Sequence, residues 1–177
     1  MDITPLRVAV IIGSAREGRF GPTVAAWVAA EIGRRRDLEA ETVDVAEMGS
    51  GTVTKQLGLA DAFVVVTPEY NHSFPAPLKA TIDDHNAEWV AKPVAFVSYG
   101  GLSGGLRAVE HLRPVFAELH AVTVRDTVSF HGGRRCFDAQ GRPTDAESVV
   151  AAERMLDRLA WWAHALRDAR AVRPYAR

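Results

Sequence analysis

Three loops of this sequence carry residues that could bind a ligand together. The first covers residues 13–21 and has the sequence GSAREGRFG. Backbone amides at the amino terminus of a helix attract anions, Ser14 adds a hydroxyl, and the guanidinium groups of Arg16 and Arg19 can donate paired hydrogen bonds to phosphate oxygens. This composition indicates a site for a terminal phosphate. A solvated turn whose arginines face water is the alternative.

The first loop lacks two common nucleotide-binding motifs. It has no Gly-Lys followed by Ser or Thr, which a Walker loop requires, and no G-x-G-x-x-G, which marks dinucleotide binding in the Rossmann manner. We therefore expect neither a nucleoside triphosphatase nor NAD bound in that manner.

The second loop follows a continuously apolar, β-branched run at residues 62–67 and contains Glu69, Tyr70, Asn71 and His72. Such a run is typical of a strand that is buried on both faces of a parallel sheet. An aromatic ring with exposed peptide groups suits a flat aromatic ligand. The alternative is a proline-stiffened connection in which Tyr70 only packs, but the position after a central strand favours the ligand.

The third loop has the sequence YGGLSGG at residues 99–105 and precedes a predicted helix. Glycine removes side chains where a ligand touches the main chain, and it costs backbone entropy on folding. Because the start of a helix needs only one glycine, we expect this loop to contact a ligand through its backbone. A tight turn into the helix is the alternative.

Alternating strand and helix patterns would position these loops. Strands are predicted at residues 6–12, 41–45, 62–67, 93–98 and 121–125. Helices are predicted at residues 22–35, 78–83, 104–119 and 145–169. The stretch with Gly49, Gly51 and Gly58 is predicted to be irregular, and residues 131–142 to form a surface segment. This order predicts an α/β fold, a doubly wound five-stranded parallel sheet with helices on both faces, in a single domain over residues 1–177; the three loops then share one edge.

Composition narrows the possible functions. Lys and Arg total 21 against 22 Asp and Glu, so the chain has no excess of positive charge that would favour binding to nucleic acid. Nothing at the amino terminus resembles a signal peptide, and no apolar stretch approaches the roughly 20 residues that span a bilayer. We expect a cytoplasmic protein with neither a nucleic acid nor a membrane as partner. Cys136 has no second cysteine to pair with. No metal site is expected, because His85, His111, His120 and His164 show no metal-ligand spacing with acids or cysteine. One of Trp161 and Trp162 is expected in the core and the other at the surface or an interface.

The three loops together resemble those of the NAD(P)H-dependent FMN reductase family. These are flavodoxin-like flavoproteins that include FMN, quinone, azo-dye and chromate reductases. The resemblance extends from residue 6 to about residue 125 and rests on three motifs: Gly13-Ser14-x-Arg16-x-x-Arg19, Pro68-Glu69-Tyr70-Asn71 followed by Leu78-Lys79-Ala80-x-Ile82-Asp83, and Tyr99-Gly100-Gly101-x-Ser103-Gly104-Gly105.

The resemblance implies FMN as the cofactor, NADPH or NADH as the electron donor, and a function as an FMN-dependent NAD(P)H oxidoreductase. It assigns the FMN phosphate and ribityl chain to Ser14, Arg16, Arg19 and Phe20. It assigns the isoalloxazine ring to Pro68, Glu69, Tyr70 and Asn71. It assigns the opposite side of the pyrimidine edge to Tyr99, Gly100, Gly101 and Ser103. No catalytic side chain is expected, because the cofactor carries the chemistry.

The resemblance also implies a homodimer or tetramer, with Tyr70, Trp89 and residues 78–83 facing a partner subunit. The second substrate would be a small-molecule acceptor such as a flavin, a quinone, an azo compound or a metal oxyanion. A cation near the ribose 2′-phosphate would favour NADPH, and the candidates are His131, Arg134, Arg135 and Arg107. Two alternatives stay open: an FMN-binding electron-transfer or sensor protein without turnover, and a phosphate-binding α/β protein that never holds flavin.

Overall fold

Five parallel strands form the framework of the molecule. The computed structural model describes residues 4–47 and 51–176. The strands are β1 Leu6–Ile12, β2 Leu38–Asp44, β3 Ala62–Pro68, β4 Pro93–Gly100 and β5 Val122–His131. They lie in the order β2-β1-β3-β4-β5, with every neighbouring pair parallel. The predicted five-stranded parallel sheet is therefore confirmed.

Helices cover both faces of this sheet, as predicted. They are α1 Gly21–Gly33, α2 Gly51–Leu59, α3 Ala76–Asp84, α4 Leu106–Glu118 and α5 Ala146–Val172. On one face α1 and α5 bury Trp27 and Leu159, and on the other α2, α3 and α4 bury Leu57 and Phe116. The central strand β3 is buried along its whole length, which explains why its sequence is continuously apolar.

The first and third loops each end at the start of a helix. Helix α1 begins at Gly21, and Pro22 lies in its first turn, where the missing N–H costs no hydrogen bond. Helix α4 begins after Gly105, whose φ of +86° is left-handed. A Cβ atom on Gly105 would lie 2.7 Å from the Cβ atom of Ser98, so only glycine fits there.

The prediction of an irregular segment around Gly51 and Gly58 is wrong, because α2 spans both residues. Glycine and β-branched residues lower the helix propensity of this segment. Val53 and Leu57 lie one helical turn apart, however, and both are buried against the sheet. Tertiary burial therefore outweighs local propensity here. Gly49 lies outside the described residues.

Strand β5 is longer than predicted, since it continues to His131 rather than ending at residue 125. Arg125 and Asp126 interrupt the apolar pattern, and the pairing with β4 shifts register at this point. The strand then resumes with Val128 and Phe130 buried. His131 consequently lies at the carboxyl edge of the sheet, beside the third loop.

Trp89 was expected at a subunit interface, and that expectation is wrong. Its side chain is fully buried, with the ring centroid 4.7 Å from that of Phe63. The indole nitrogen donates a hydrogen bond to the carbonyl oxygen of Ile82 at 3.1 Å. Trp89 therefore joins α3 to the core of its own chain.

The expectation that one of Trp161 and Trp162 lies in the core is also wrong. The two residues are 62% and 37% exposed. The buried face of α5 is formed by residues at helical spacing, such as Leu156, Leu159 and Ala163. The two tryptophans fall outside that face.

No helix in residues 4–47 and 51–176 combines the length and the apolarity needed to cross a bilayer. The same ranges contain no group of three or more His, Cys, Asp or Glu residues that could hold a metal ion.

Candidate functional site

A cleft opens where the first and second loops leave the carboxyl ends of β1 and β3. These strands are neighbours in the sheet. After β1 the chain continues to β2 on one side of this pair, and after β3 it continues to β4 on the other side, so the strand order reverses between β1 and β3. Open α/β sheets bind ligands at such a switch point, and flavodoxin itself is the standard example. The cleft has a volume of about 500 Å³, and its lining includes Ala15, Arg16, Tyr70, Asn71, Phe74 and Pro77. Ala15 and Phe74 were not singled out from the sequence, although each lies in or beside a predicted loop.

Arg16 and Tyr70 contact each other in this cleft. The guanidinium carbon of Arg16 lies 3.6 Å from the centroid of the Tyr70 ring. The Tyr70 hydroxyl and the Ser14 Oγ share a hydrogen bond of 2.6 Å. A cation over an aromatic face is attracted by the quadrupole of the ring. The fold thus brings together Ser14, Arg16, Tyr70 and Asn71 among the residues predicted to form a site.

A tight turn presents the Tyr70 side chain. Tyr70 and Ser73 exchange two backbone hydrogen bonds of 2.8 and 3.0 Å. Between them, Asn71 and His72 have φ values of +49° and +72°. Two successive left-handed residues are typical of a type I′ turn, and a non-glycine residue such as His72 adopts this conformation at an energetic cost. The strained backbone therefore lies at the edge of the cleft.

The first loop offers backbone donors beside Arg16. Within the described residues, none of the amides of residues 14–18 donates a hydrogen bond to another backbone group. Gly18 has a φ of +63°, and the loop leads directly into the amino terminus of α1. Successive unpaired amides ahead of a helix attract an anion.

The guanidinium of Arg19 has a different partner from that of Arg16, which lies over Tyr70. The Arg19 guanidinium forms an ion pair with Asp44 at the end of β2, and both side chains are about four-fifths buried. The Nε atom of Arg19 is buried and makes no hydrogen bond in the described part of the chain. Asp44 was not identified from the sequence as the partner of Arg19. The available signal was its position, since it is an acidic residue at the end of the strand that pairs with β1.

Glu69 joins the second loop to the third. Its carboxylate accepts hydrogen bonds from Ser103 Oγ at 2.8 Å and from Arg107 Nε at 2.6 Å. Burial by itself raises the pKa of the Glu69 carboxyl, but the hydrogen bonds from Arg107 and Ser103 outweigh burial and hold that pKa below its ordinary value. Glu69 is therefore an ionised link between the loops.

The glycines of the third loop have two different roles. A Cβ atom on Gly104 would lie 2.6 Å from Ser129 Oγ. A Cβ atom on Gly100 would lie 3.0 Å from the amide nitrogen of Gly105. Together with Gly105, these glycines are required by packing inside the protein. A Cβ atom on Gly101 would meet nothing within 4 Å. Contact between this loop and a ligand remains a prediction, and the open backbone is at Gly101.

Phe20 and Pro68 both neighbour Tyr99 at the carboxyl edge of the sheet. The rings of Phe20 and Tyr99 meet edge to face at 5.8 Å. Pro68 and Tyr99 are register partners in β3 and β4. Burial, and to a lesser extent the nearby Tyr70, raises the pKa of the Tyr99 hydroxyl well above its ordinary value, so this hydroxyl remains protonated.

The four candidate cations for a 2′-phosphate do not lie together. Arg107 is paired with Glu69, and Arg134 contacts the first loop. His131 and Arg135 line a second cleft of about 470 Å³, which also touches Gly101 and Cys136.

The sequence model of the family described as NADPH-dependent FMN reductase matches residues 6–134, which include all three loops. The chain belongs to this family. A family member from Schizosaccharomyces pombe, named an NAD(P)H-dependent FMN reductase, is 38% identical over 127 residues. That match covers 59% of this chain and 62% of the relative, so the chain spans less than two thirds of that relative's length.

Other relatives match over more of their length. A protein of Solanum tuberosum named NAD(P)H:quinone oxidoreductase is 32% identical over 167 residues, covering 81% of this chain and 85% of the relative. Among solved structures, the flavoenzyme NAD(P)H:(acceptor) oxidoreductase FerB from Paracoccus denitrificans superposes with a TM-score of 0.75. This match covers 90% of this chain and 98% of the other at 19% identity, and it shows that the FMN reductase family member described here shares that fold.

Proposed function

We propose that this protein is an FMN-dependent oxidoreductase that takes hydride from NADPH or NADH and reduces a small acceptor such as a flavin or a quinone. The observation that carries the proposal is the Arg16–Tyr70 pair in the cleft between β1 and β3. A cation and open amides lie beside an aromatic ring there, as a phosphorylated, planar cofactor requires. Membership of the FMN reductase family supports the same conclusion.

The first loop fits the phosphate end of FMN. Arg16 would pair with the phosphate, Ser14 would supply a hydroxyl, and the amides of residues 14–18 would supply further donors. Arg19 would contribute differently, because its charge is already paired with Asp44 while its buried Nε atom lacks a partner in the described residues. Its role would be to fix the loop and add one donor.

The second and third loops fit the ring of FMN. Tyr70 and Asn71 line the cleft, and Gly101 leaves its backbone open to approach. Glu69 holds the two loops together through Ser103 and Arg107 rather than pointing into the cleft. We therefore assign Glu69 to positioning and Tyr70, Asn71 and Gly101 to contact with the ring.

Bound FMN would supply the redox chemistry by accepting hydride from the reduced nicotinamide and passing electrons to the acceptor. The residues of the chain bind and orient the cofactor. Tyr99 stays protonated and Glu69 stays ionised, so neither is suited to act as an acid or a base near neutral pH. No catalytic side chain is assigned.

The experiment that tests the proposal is an anaerobic titration of the FMN-loaded protein with NADPH and, separately, with NADH. The visible absorption spectrum of the flavin is recorded after each addition. The flavin band should bleach with at least one donor, and a quinone or free FMN should restore it. Binding without bleaching would favour an electron-transfer or sensor protein. Failure to quench the fluorescence of added FMN would favour a phosphate-binding protein without flavin.

Other expectations from the sequence remain predictions. They comprise a single domain, a cytoplasmic location, and a homodimer or tetramer in which Tyr70 and α3 face the partner. A preference for NADPH would be due to His131 and Arg135, the two candidate cations that line one cleft. Comparison of NADPH with NADH in the titration tests whether this preference exists.

A further inference from the structure

Arg134 lies outside the three loops, yet it contacts the first of them at two points. Its guanidinium donates a hydrogen bond to the carbonyl oxygen of Gly18, across 116 positions of sequence. Its guanidinium carbon also lies 5.0 Å from the centroid of the Phe20 ring. Gly18 and Phe20 flank Arg19, so Arg134 holds the first loop just before α1.

The first loop has few backbone bonds of its own to fix its shape. In the described residues, the backbone hydrogen bond made inside the loop runs from the Arg19 amide to the Arg16 carbonyl, at 3.2 Å. Gly18 adopts a left-handed conformation that glycine leaves readily. A loop that keeps its amides free for an anion needs to be held from outside.

The segment that carries Arg134 is firmly anchored. The Gly132 amide donates to the carbonyl oxygens of Gly100 and Gly101 at 3.0 and 2.9 Å. The Phe137 ring packs edge to face on Phe20, with centroids 5.1 Å apart. The segment therefore ties the first loop to the third and gives Arg134 a fixed base.

Arg134 also differs from Arg19 and Arg107 in the kind of group that its guanidinium contacts. Those two guanidinium groups pair with the carboxylates of Asp44 and Glu69. Arg134 is bonded to a neutral carbonyl, and it forms no ion pair within the part of the chain that the structure describes. Its positive charge thus adds to the attraction that the first loop exerts on an anion.

We propose that Arg134 is a positioning residue for the phosphate of the cofactor: it braces Gly18 and Phe20 so that the first loop stays in its anion-binding conformation. This inference rests on the proposed function, since the anion is the phosphate of FMN. It assigns a role in cofactor binding to the segment between β5 and α5, which contains none of the three motifs.

The test compares FMN with riboflavin, which lacks the phosphate. Apoprotein variants are titrated into each flavin, and the quenching of flavin fluorescence gives the Kd. In Arg134→Met the Kd for FMN should rise about tenfold, as expected for loss of a charge-assisted hydrogen bond, while the Kd for riboflavin changes less than about twofold. Arg134→Lys, which keeps the charge and one donor, should restore part of the FMN affinity. Arg142→Met is the matched control for the loss of an exposed arginine charge in the same segment, since Arg142 pairs with Asp138 and its side chain is 70% exposed, and it should leave the FMN affinity unchanged.

Three outcomes would overturn the inference. Unchanged FMN affinity in Arg134→Met and Arg134→Lys would show that the brace is not needed. An equal loss of FMN and riboflavin affinity would mean that Arg134 acts on binding of the flavin ring or on the stability of the fold, and not on the phosphate. A lower thermal unfolding temperature of the variant apoprotein would identify an effect on the fold. Wild-type protein that binds neither flavin would refute the proposed function together with the inference, whereas normal wild-type binding confines any failure to Arg134.

Discussion

The guanidinium of Arg16 lies against the ring of Tyr70, with 3.6 Å between its carbon and the ring centroid. One residue follows β1 and the other follows β3, and the two strands pair side by side. The Tyr70 hydroxyl also bonds to Ser14 in the first loop. Tyr70 therefore connects the phosphate-binding loop to the aromatic surface of the proposed FMN site.

Replacing Tyr70 should weaken FMN binding in two separable steps. Tyr70→Phe removes only the hydroxyl that bonds to Ser14, and the Kd for FMN should rise by about twofold to fivefold. Tyr70→Leu also removes the aromatic face and the cation–π contact with Arg16, and the Kd should rise by roughly tenfold or more. Fluorescence titration of the apoproteins measures both. Equal affinity of Tyr70→Leu and wild type would contradict a contact between this ring and the cofactor.

Two glycines of the third loop should respond differently to alanine. A Cβ atom on Gly105 would clash with Ser98 at a left-handed φ, so Gly105→Ala should lower the free energy of unfolding by roughly 2 kcal/mol or more. A Cβ atom on Gly101 meets no neighbour, so Gly101→Ala should fold with wild-type stability. If the ring of FMN approaches this backbone, Gly101→Ala should still weaken FMN binding. Urea denaturation and flavin titration of both variants separate the two effects, and normal FMN affinity in Gly101→Ala would remove Gly101 from the proposed site.

The sequence was sufficient to predict the elements whose pattern reflects burial. Strand β3 is apolar because both of its faces are covered, and this predicted both the sheet and its carboxyl edge. Helix α2 was not predictable from local propensity, because the burial of Val53 and Leu57 depends on the finished sheet.

The site was predictable to the level of loops but not of individual partners. The residues after β1 and β3 were identified because parallel strands share one edge. The pairings of Arg19 with Asp44 and of Glu69 with Arg107 join distant parts of the chain, and no spacing in the sequence encodes them. For the same reason the glycine content of the third loop as a whole was interpreted as a ligand contact, whereas packing against Ser129 and Ser98 accounts for Gly104 and Gly105.

The link formed by Glu69 should contribute to stability in a pH-dependent manner. Because its pKa is lowered in the folded state, the stabilisation is complete above the ordinary value of 4.5 and is lost as the pH falls through the lower folded value. Glu69→Gln should lower the free energy of unfolding by about 1–2 kcal/mol at neutral pH, and the difference from wild type should shrink below about pH 4.5. Urea denaturation at several pH values measures this difference.

Glu110→Gln is a matched control for Glu69→Gln. Glu110 pairs with Arg113 on the surface of α4, and its side chain is 71% exposed. Such a pair contributes less than about 0.5 kcal/mol, so the control should stay close to wild type. Equal effects of the two substitutions would mean that the bonds from Ser103 and Arg107 do not hold the loops together.

A buried lysine, Lys92, lies directly before β4, at the edge of the sheet opposite the proposed FMN site. Lys92 is 8% exposed, and its Nζ donates hydrogen bonds to the carbonyl oxygens of Leu57 and Gly58 at 3.2 and 3.1 Å. Burial, followed by the charge of Arg170, lowers the pKa of Lys92 from 10.5 to about 8. The unfolded chain therefore binds more protons than the folded chain between these two values, and the stability of the protein should rise with pH across this window.

Comparison with Lys92→Met isolates this effect from the titration of other groups. The free energy of unfolding of wild type minus that of Lys92→Met should increase by on the order of 2 kcal/mol between about pH 8 and pH 10.5, and should be flat below about pH 7.5. The exposed Lys79, paired with Asp83, supplies the control variant Lys79→Met for the loss of a lysine that is not buried. Urea denaturation across the range measures both. A difference for Lys92→Met that stays constant, or that falls as the pH rises, would contradict a depressed pKa, because the buried ammonium would then be as stable in the folded chain as in water.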